Sequence, residues 1–595
     1  MPKGILNKAS LVMAPEAPID GTMPSVFPED RSGDFTFTRG SNLAATRVAS
    51  NGLIEKGREN LLLQSNQFDT TPWNRNLVTA TSGQSGYDGN TNAWKIDLTG
   101  AAGNLAVGGL SAGNVGTYSV YAKAGTLNWI LLGSQTGNIQ AYINLLDGSI
   151  GTTGALVIEA KTEDVGGGWY RCSMTYSGTA TVARVYPAQA NGNLTATSGN
   201  ILVQDSQLEI GLAATSYIES GATTGKAGLL ENEPRIDFTG GGCGSLLLEP
   251  SRTNLVTNSE YFEDYTKTDS SVMSNGATSP EGLENASKLF DGTGSTQHYI
   301  GDVGVGYFTN TDIRNTSLFV KAGTLDYVQL RIENLTGNFS YYYVNVNLND
   351  GSVASIASGG TTNLYNSVKE YGNGWYRITI ACSFTNSNVT ASRTKIYTAK
   401  NNNHTYTGTG TDYILIYGAQ AEAGSYPTSY IPTYGSSATR SDDDMYTTNV
   451  SNLLSISEGT LYTECDIDAS VNTEIYLMRF EGTDFNNTVY LYRKSSGGVQ
   501  AVYRILGTTY AAETSYAVSG NFKIAASYSL ADGISLFLNG VKVGNIAIPE
   551  PVYTFVRLRI GGFNATLAKQ SGHTKEIMVF PTALTDEECS ALTQP

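Results

Sequence analysis

The sequence states one domain twice. Glu59–Asp69 (ENLLLQSNQFD) answers to Thr253–Asp264 (TNLVTNSEYFED), and NAWK (Asn92–Lys95) to NASK (Asn285–Lys288). AKAGTL (Ala122–Leu127) then pairs with VKAGTL (Val320–Leu325), LLDGS (Leu145–Ser149) with LNDGS (Leu348–Ser352), and GGGWYR (Gly166–Arg171) with GNGWYR (Gly372–Arg377). The series closes on QLEIGLAATSYI (Gln207–Ile218) against QAEAGSYPTSYI (Gln420–Ile431). The separation between partners drifts from 194 residues (Glu59 to Thr253) to 213 (Gln207 to Gln420), so the order is kept while loops lengthen. Whole motif strings recurring in order require a duplicated domain.

What each copy folds into follows from its periodicity. Short alternating segments recur, among them Tyr118–Ala124, Trp169–Ser177, Ser317–Ala322, Tyr327–Glu333, Trp375–Ser383 and Asp412–Gln420. DG, NG, GG and SG turns punctuate them, the signature of antiparallel sandwiches. The expected fold is all-β: two tandem jelly rolls over 59–222 and 251–440, joined by a glycine-rich linker at 223–250. Residues 446–595 change vocabulary and read as a third β-sandwich of a different plan. Residues 1–58 carry little periodic pattern and several prolines (Pro2, Pro15, Pro18, Pro24, Pro28), so they read as an extended arm ordered by what it touches. Within it, DFTFTR (Asp34–Arg39) alternates as a strand does. SDDDM (Ser441–Met445) reads as a solvated hinge. The clear helix candidate is Ala583–Leu592, with Thr585 and Glu588 forming a capping box.

Charge and cysteine usage narrow the function classes. With 53 acidic against 37 basic residues and a net charge of −16, the chain lacks the clustered Lys/Arg that a nucleic-acid backbone demands. No run approaches the length of a membrane span, and the N-terminal apolar stretch is interrupted by Pro15 and Glu16, which argues against a signal peptide. Five dispersed cysteines without a CxxC pair indicate neither a disulfide framework nor a zinc site, and point to folding in a reducing cytosol. The three histidines (His298, His404, His573) stand apart in loop-like contexts, and no pair of carboxylates or nucleophile constellation stands out, so an enzyme is not expected.

The strings DFTFTR, ATRV, GLIE, NLLLQSNQFD, GNGWYR and Gly418–Arg440 together resemble a module recurrent in bacteriophage virion proteins, particularly tail fibres, head fibres and other appendages. Pro234–Leu255 belongs to the same vocabulary. The resemblance implies jelly rolls similar to the carbohydrate-binding modules of bacterial glycanases. Module one departs from it, lacking the prolines of GSYPTSYIPT, so a retained fold is a safer inference there than a retained ligand. Residues 446–595, with LFLNGVKVG and KEIMVFPTALTDEE, resemble laminin-G/concanavalin-like sandwiches. The implied role is a surface fibre or capsid decoration protein, attached to other virion proteins through the N-terminal arm and binding host-surface polysaccharide. It implies a homo-oligomer, by default a trimer and alternatively a dimer, assembled in the host cytoplasm and resident on the virion. A purely architectural fibre without ligand, and a secreted polysaccharide hydrolase with accessory modules, are the competing readings. No cofactor is expected; a structural Ca²⁺ is common in such sandwiches, but no DxDxDG loop marks ligands here.

Sugar recognition lays aromatic rings against apolar sugar faces. Rings present in both copies (Phe68/Phe262, Trp169/Trp375, Tyr170/Tyr376, Tyr217/Tyr430) are explained by the shared core; those in one copy are not required by it. Trp94 stands opposite Ser287, and Trp129 opposite Tyr327, where only its size is copy-specific. Module two has Tyr341, Tyr342 and Tyr343 in succession, which in a strand places rings on both sheet faces. These five are the candidate ligand platforms, with copy-specific packing or a subunit interface as the alternative. The third module contains no Trp, which weakens a stacking role for it.

Overall fold

A computed structural model describes the chain except residues 1–2, 16–20, 41–42, 112, 135–137, 302–311, 337, 386–388, 390, 553 and 563–570, and the side chains of 3, 363 and 364. Pro2 and Pro18 lie outside the described residues. The chain is all-β: among the described residues the α-helices are Lys3–Leu6 and Asp586–Leu592. The second begins as its sequence dictates, with the Glu588 amide donating to the Thr585 hydroxyl and the Thr585 amide to the Glu588 carboxylate. No described helix is long and apolar enough to cross a membrane.

Each copy is a pair of packed six-stranded antiparallel sheets. In module one, one sheet runs Ile150–Thr153, Gln140–Asn144, Trp129–Gly133, Val182–Ala188, Asn104–Gly108, Asn74–Asn76. In module two the corresponding sheet runs Val353–Gly359, Tyr341–Asn347, Tyr327–Asn334, Ser392–Ala399, Tyr299–Gly301, Thr266–Thr268. Strand for strand this is the same order, and the facing sheets match likewise. The longer second copy adds a short ribbon, Ser295–Gln297 paired with Thr405–Thr407.

The repeated strings turn out to be the polar staples of this fold. Asn60 donates to the Ser206 and Ile218 carbonyls and accepts from the Leu62 and Leu208 amides. Asn254 makes the same four bonds, to Ala419, Ile431, Val256 and Ala421. The glutamine and glutamate of the closing motif fasten the TSYI turn: Gln207 and Glu209 bind Ile218 and Thr215, as Gln420 and Glu422 bind Ile431 and Thr428. Both copies also carry a bulge at one place, beside Ser119/Tyr121 and Ser317/Phe319. Its left-handed residue is Asp205 (φ 52°) in one copy and Gly418 (φ 61°) in the other. A Cβ on Gly418 would sit 3.0 Å from the Phe319 ring, so glycine serves there.

The third sandwich is assembled from three distant parts of the chain. The arm is indeed ordered by contact, and its partner is this sandwich. Leu11–Met13 pairs with Gly572–Phe580, while Thr22–Met23 and Phe35–Thr38 extend the opposite sheet through Asp444–Thr447. Leu11, Met13, Met23, Phe35 and Phe37 are buried in the same core as Leu461, Phe480 and Val579. The segment expected as a linker also contributes strands: Arg235–Asp237 and Ser245–Leu248 join the first sheet. Each sheet of this sandwich thereby has eight strands.

Two buried ionic clusters fasten these pieces. Arg39, Arg235 and Arg440, all essentially buried, meet Asp443 and Glu249. SDDDM is therefore no solvated hinge: Asp443 is fully buried and Asp444 pairs with Arg559. Nearby, Lys56 and Arg58 pair with Glu260 and Glu281, and the hydroxyls of Tyr417, Tyr430 and Tyr434 all donate to one oxygen of Glu260.

Candidate functional site

Alternation decides which tyrosines of the YYY run are available. Tyr342 points between the sheets, fully buried with Val328, Val344 and Ile380, its hydroxyl accepting from Asn366. It offers a ligand nothing, which corrects that candidate. Tyr341 and Tyr343 point outward, half-buried, with near-parallel rings 5.9 Å apart and an interplanar angle of 12°. Phe339, 64% exposed, continues the line at 5.5 Å from Tyr341.

Trp94 is likewise corrected. It is buried against Phe68 at 5.9 Å, next to Trp73, and its indole N–H donates to the Asn66 carbonyl. Trp94 is copy-specific because copy one fills this space with two tryptophans, whereas copy two packs Tyr265 on Phe262 at 5.1 Å. Trp129 lies on the outer face of its sheet, half-buried with Tyr142, Tyr186 and Leu194. The paired Trp169 and Trp375 are buried, each on the sheet face opposite to the adjoining Tyr170 and Tyr376.

Register builds the rest of the face around Tyr341 and Tyr343. Arg331 lies opposite Tyr343 on one side and Lys395 on the other. One step along, Glu333 stands between Tyr341 and Arg393, and the other way Gln329 stands between Asn345 and Tyr397. Glu333 pairs with Arg331 (3.1 Å), Arg393 (2.7 Å) and Lys395 (2.9 Å). Arg331 lies over the Tyr341 ring at 4.6 Å and the Phe339 ring at 5.1 Å, and Lys395 over Tyr299 at 4.1 Å. His404 borders the patch, 6.1 Å from Tyr343 and 5.5 Å from Tyr397. Burial, then the nearby Arg331 charge, lowers its pKa, which keeps it neutral near pH 7.

Sequence reasoning found two rings of this face and missed its charges. The signal was present in YVQLRIE, where Tyr327, Gln329, Arg331 and Glu333 alternate with Val328, Leu330 and Ile332, and in SRTKIYTA, where Arg393, Lys395 and Tyr397 do the same. The other histidines are placed differently from expectation. His298 is not exposed but fully buried, between Asp269 and the Tyr406 carbonyl. His573 pairs with Asp237 at 3.1 Å. Among the described residues no group of three or more His, Cys, Asp or Glu is placed to hold a metal.

The fold and this face define a class: a multi-sandwich β protein presenting aromatic rings and cations on an open sheet surface. No protein-family model and no curated protein sequence matches the chain. Among solved structures it is similar in part to the CBM40 of an IT-sialidase from Ruminococcus gnavus bound to α2,3-sialyllactose. That match has 22% identity and a TM-score of 0.22, covering 24% of this chain and 84% of that one. It is also similar to domain 4 of AbnA, a GH43 extracellular arabinanase from Geobacillus stearothermophilus, in complex with arabinotriose. There the identity is 16% and the TM-score 0.23, over 26% of this chain and 73% of that one. A heptameric SAP-like pentraxin from Limulus polyphemus matches at 14% identity and TM-score 0.19, over 23% of this chain and 69% of that one.

Proposed function

We propose that the chain is a glycan-binding adhesion protein displayed on a bacteriophage particle, as a head or tail fibre or a decoration protein, and that the outer face of module two is its sugar-binding surface. The observation carrying the binding half is the outward-facing, near-parallel Tyr341–Tyr343 pair, extended by the exposed Phe339 and bordered by hydrogen-bonding side chains. Rings of this kind receive the apolar face of a pyranose while flanking polar groups take its hydroxyls. Binding is proposed rather than cleavage. Among the described residues of this patch the carboxylate is Glu333, committed to three cations, whereas glycoside hydrolysis uses two carboxylates across one bond.

The virion setting rests on the motif resemblance and on a strongly acidic chain suited to a soluble multivalent surface. Since the arm's strands are built into the third sandwich, attachment to other virion proteins would use the outside of that sandwich. Assembly as a trimer or dimer would turn weak single sites into avid binding. The architectural reading draws on the buried ionic clusters, which fasten arm, linker and modules together as a spacer requires. A glycan array probed with the full chain and with Tyr343→Ala separates the two readings. Glycan signals that the substitution abolishes support adhesion, and a blank array together with gold-labelled chain on the particle leaves only the architectural role.

A further inference from the structure

The cation count of this face is out of balance with the two buried clusters that fasten the chain, and with the equivalent face of copy one. The two structural ionic clusters each hold two carboxylates, Asp443 with Glu249 and Glu260 with Glu281, for three and two cations respectively. On the module-two face, Arg331, Arg393 and Lys395 share one carboxylate, Glu333. Arg331 and Lys395 are mostly buried, while the Arg393 side chain remains 30% exposed. Burying a local excess of positive charge is unfavourable unless an anion offsets it. The fold does not ask for the excess. Gly133 and Val182 occupy the equivalent places in copy one, where Gly133 pairs with Arg184 as Arg331 pairs with Lys395.

We propose that the glycan taken by this face is anionic, its acidic group meeting Arg393 and Lys395 while its sugar ring lies on Tyr341 and Tyr343. This rests on the glycan-binding reading above and adds the ligand's charge. A guanidinium matches a carboxylate or phosphate oxygen pair, and a charge-assisted bond beside a desolvated cation is stronger than a neutral one. On a chain of net charge −16, which repels polyanions overall, such a patch also confines acidic glycans to one surface.

The test uses the full chain in affinity electrophoresis and calorimetry with four probes: polygalacturonate, the same polymer after carboxyl reduction, a phosphorylated mannan and its dephosphorylated form. We expect one of the two acidic polymers to bind at least about tenfold more tightly than its neutral counterpart, with the advantage shrinking in high salt. Comparing the two acidic polymers separates carboxylate from phosphate as the source of charge. Arg393→Gln and Lys395→Gln should each bring the acidic polymer down to the affinity of its neutral counterpart measured on the same variant, in protein that still unfolds cooperatively. Equal binding of acidic and neutral polymers, or an advantage that survives both substitutions, overturns the anionic assignment and leaves the glycan reading standing. Failure to bind any of the four overturns both.

Discussion

Asp443→Asn is the substitution that most sharply tests how the molecule is held together. One carboxylate oxygen faces the Arg39 guanidinium at 3.3 Å; the other meets Arg235 and accepts the Glu249 amide at 2.9 Å. All three side chains are at most 1% exposed. Arg235 keeps Glu249 at 2.7 Å, but Arg39 is left with the Leu230 carbonyl. Burial already pulls the Arg39 pKa down to about 10 against the attraction of Asp443, so this guanidinium is poorly compensated. Removing one partner of a buried pair costs about 3–5 kcal/mol, because the remaining charge stays desolvated. For a cooperative unit of 150–250 residues this corresponds to roughly 6–20 °C in unfolding temperature.

Differential scanning calorimetry reads the shift, and Arg39→Met supplies the cycle. If the loss comes from an orphaned Arg39, the double variant should recover a large part of it, giving a coupling energy of about 1–3 kcal/mol. A shift under about 1 kcal/mol for Asp443→Asn would refute the claim that this cluster joins the arm to segments 223–250 and 441–445. So would strict additivity in the cycle.

Four further outcomes follow from the same structure. Tyr342→Ala should destabilise by about 3–5 kcal/mol in urea unfolding, while Tyr343→Ala changes stability by less than about 1 kcal/mol and abolishes glycan retention. Asn254→Ala removes four buried backbone partners at once and should cost more than about 3 kcal/mol, visible as loss of hydrogen-exchange protection in the closing turn of module two. Deleting residues 1–38 removes three strands and eight buried apolar side chains of the third sandwich, so limited proteolysis should cut within 446–595 before it cuts module two. Although burial raises the Glu281 pKa, the charges of Lys56 and Arg58 hold it lower overall, at about 2. Its contribution is then fully present above the ordinary pKa near 4.5 and is lost as pH falls from there toward 2, which acid titration of unfolding should show.

The sequence-to-structure correspondence is uneven for a physical reason. Duplication, strand alternation and the capping box are local or repeated patterns, and the two copies do share strand order and bulge position. Pairing partners are not local. Nothing in LVM at 11–13 names Ile577–Val579 as its neighbour, because alternation fixes which face is buried and leaves open which edge the strand joins. The same gap hid the role of SDDDM: a run of acids reads as solvated until arginines from distant segments converge on it.

The copy comparison shows where such a filter fails and where it works. A ring absent from the other copy can still be needed by its own: Trp94 is buried, since two homologous cores reach similar density with different side chains. For the tyrosine run the filter succeeds once alternation is imposed, because the sheet sends Tyr342 inward and Tyr341 and Tyr343 outward whatever their history. Charge sharpens it further. A copy-specific apolar residue can vanish into repacking, whereas copy-specific cations that share one carboxylate keep a charge that stacking on aromatic rings offsets only in part, which is the basis of the proposal of an anionic ligand. The informative difference between the modules is thus Arg331 and Arg393 in place of Gly133 and Val182, more than any aromatic ring.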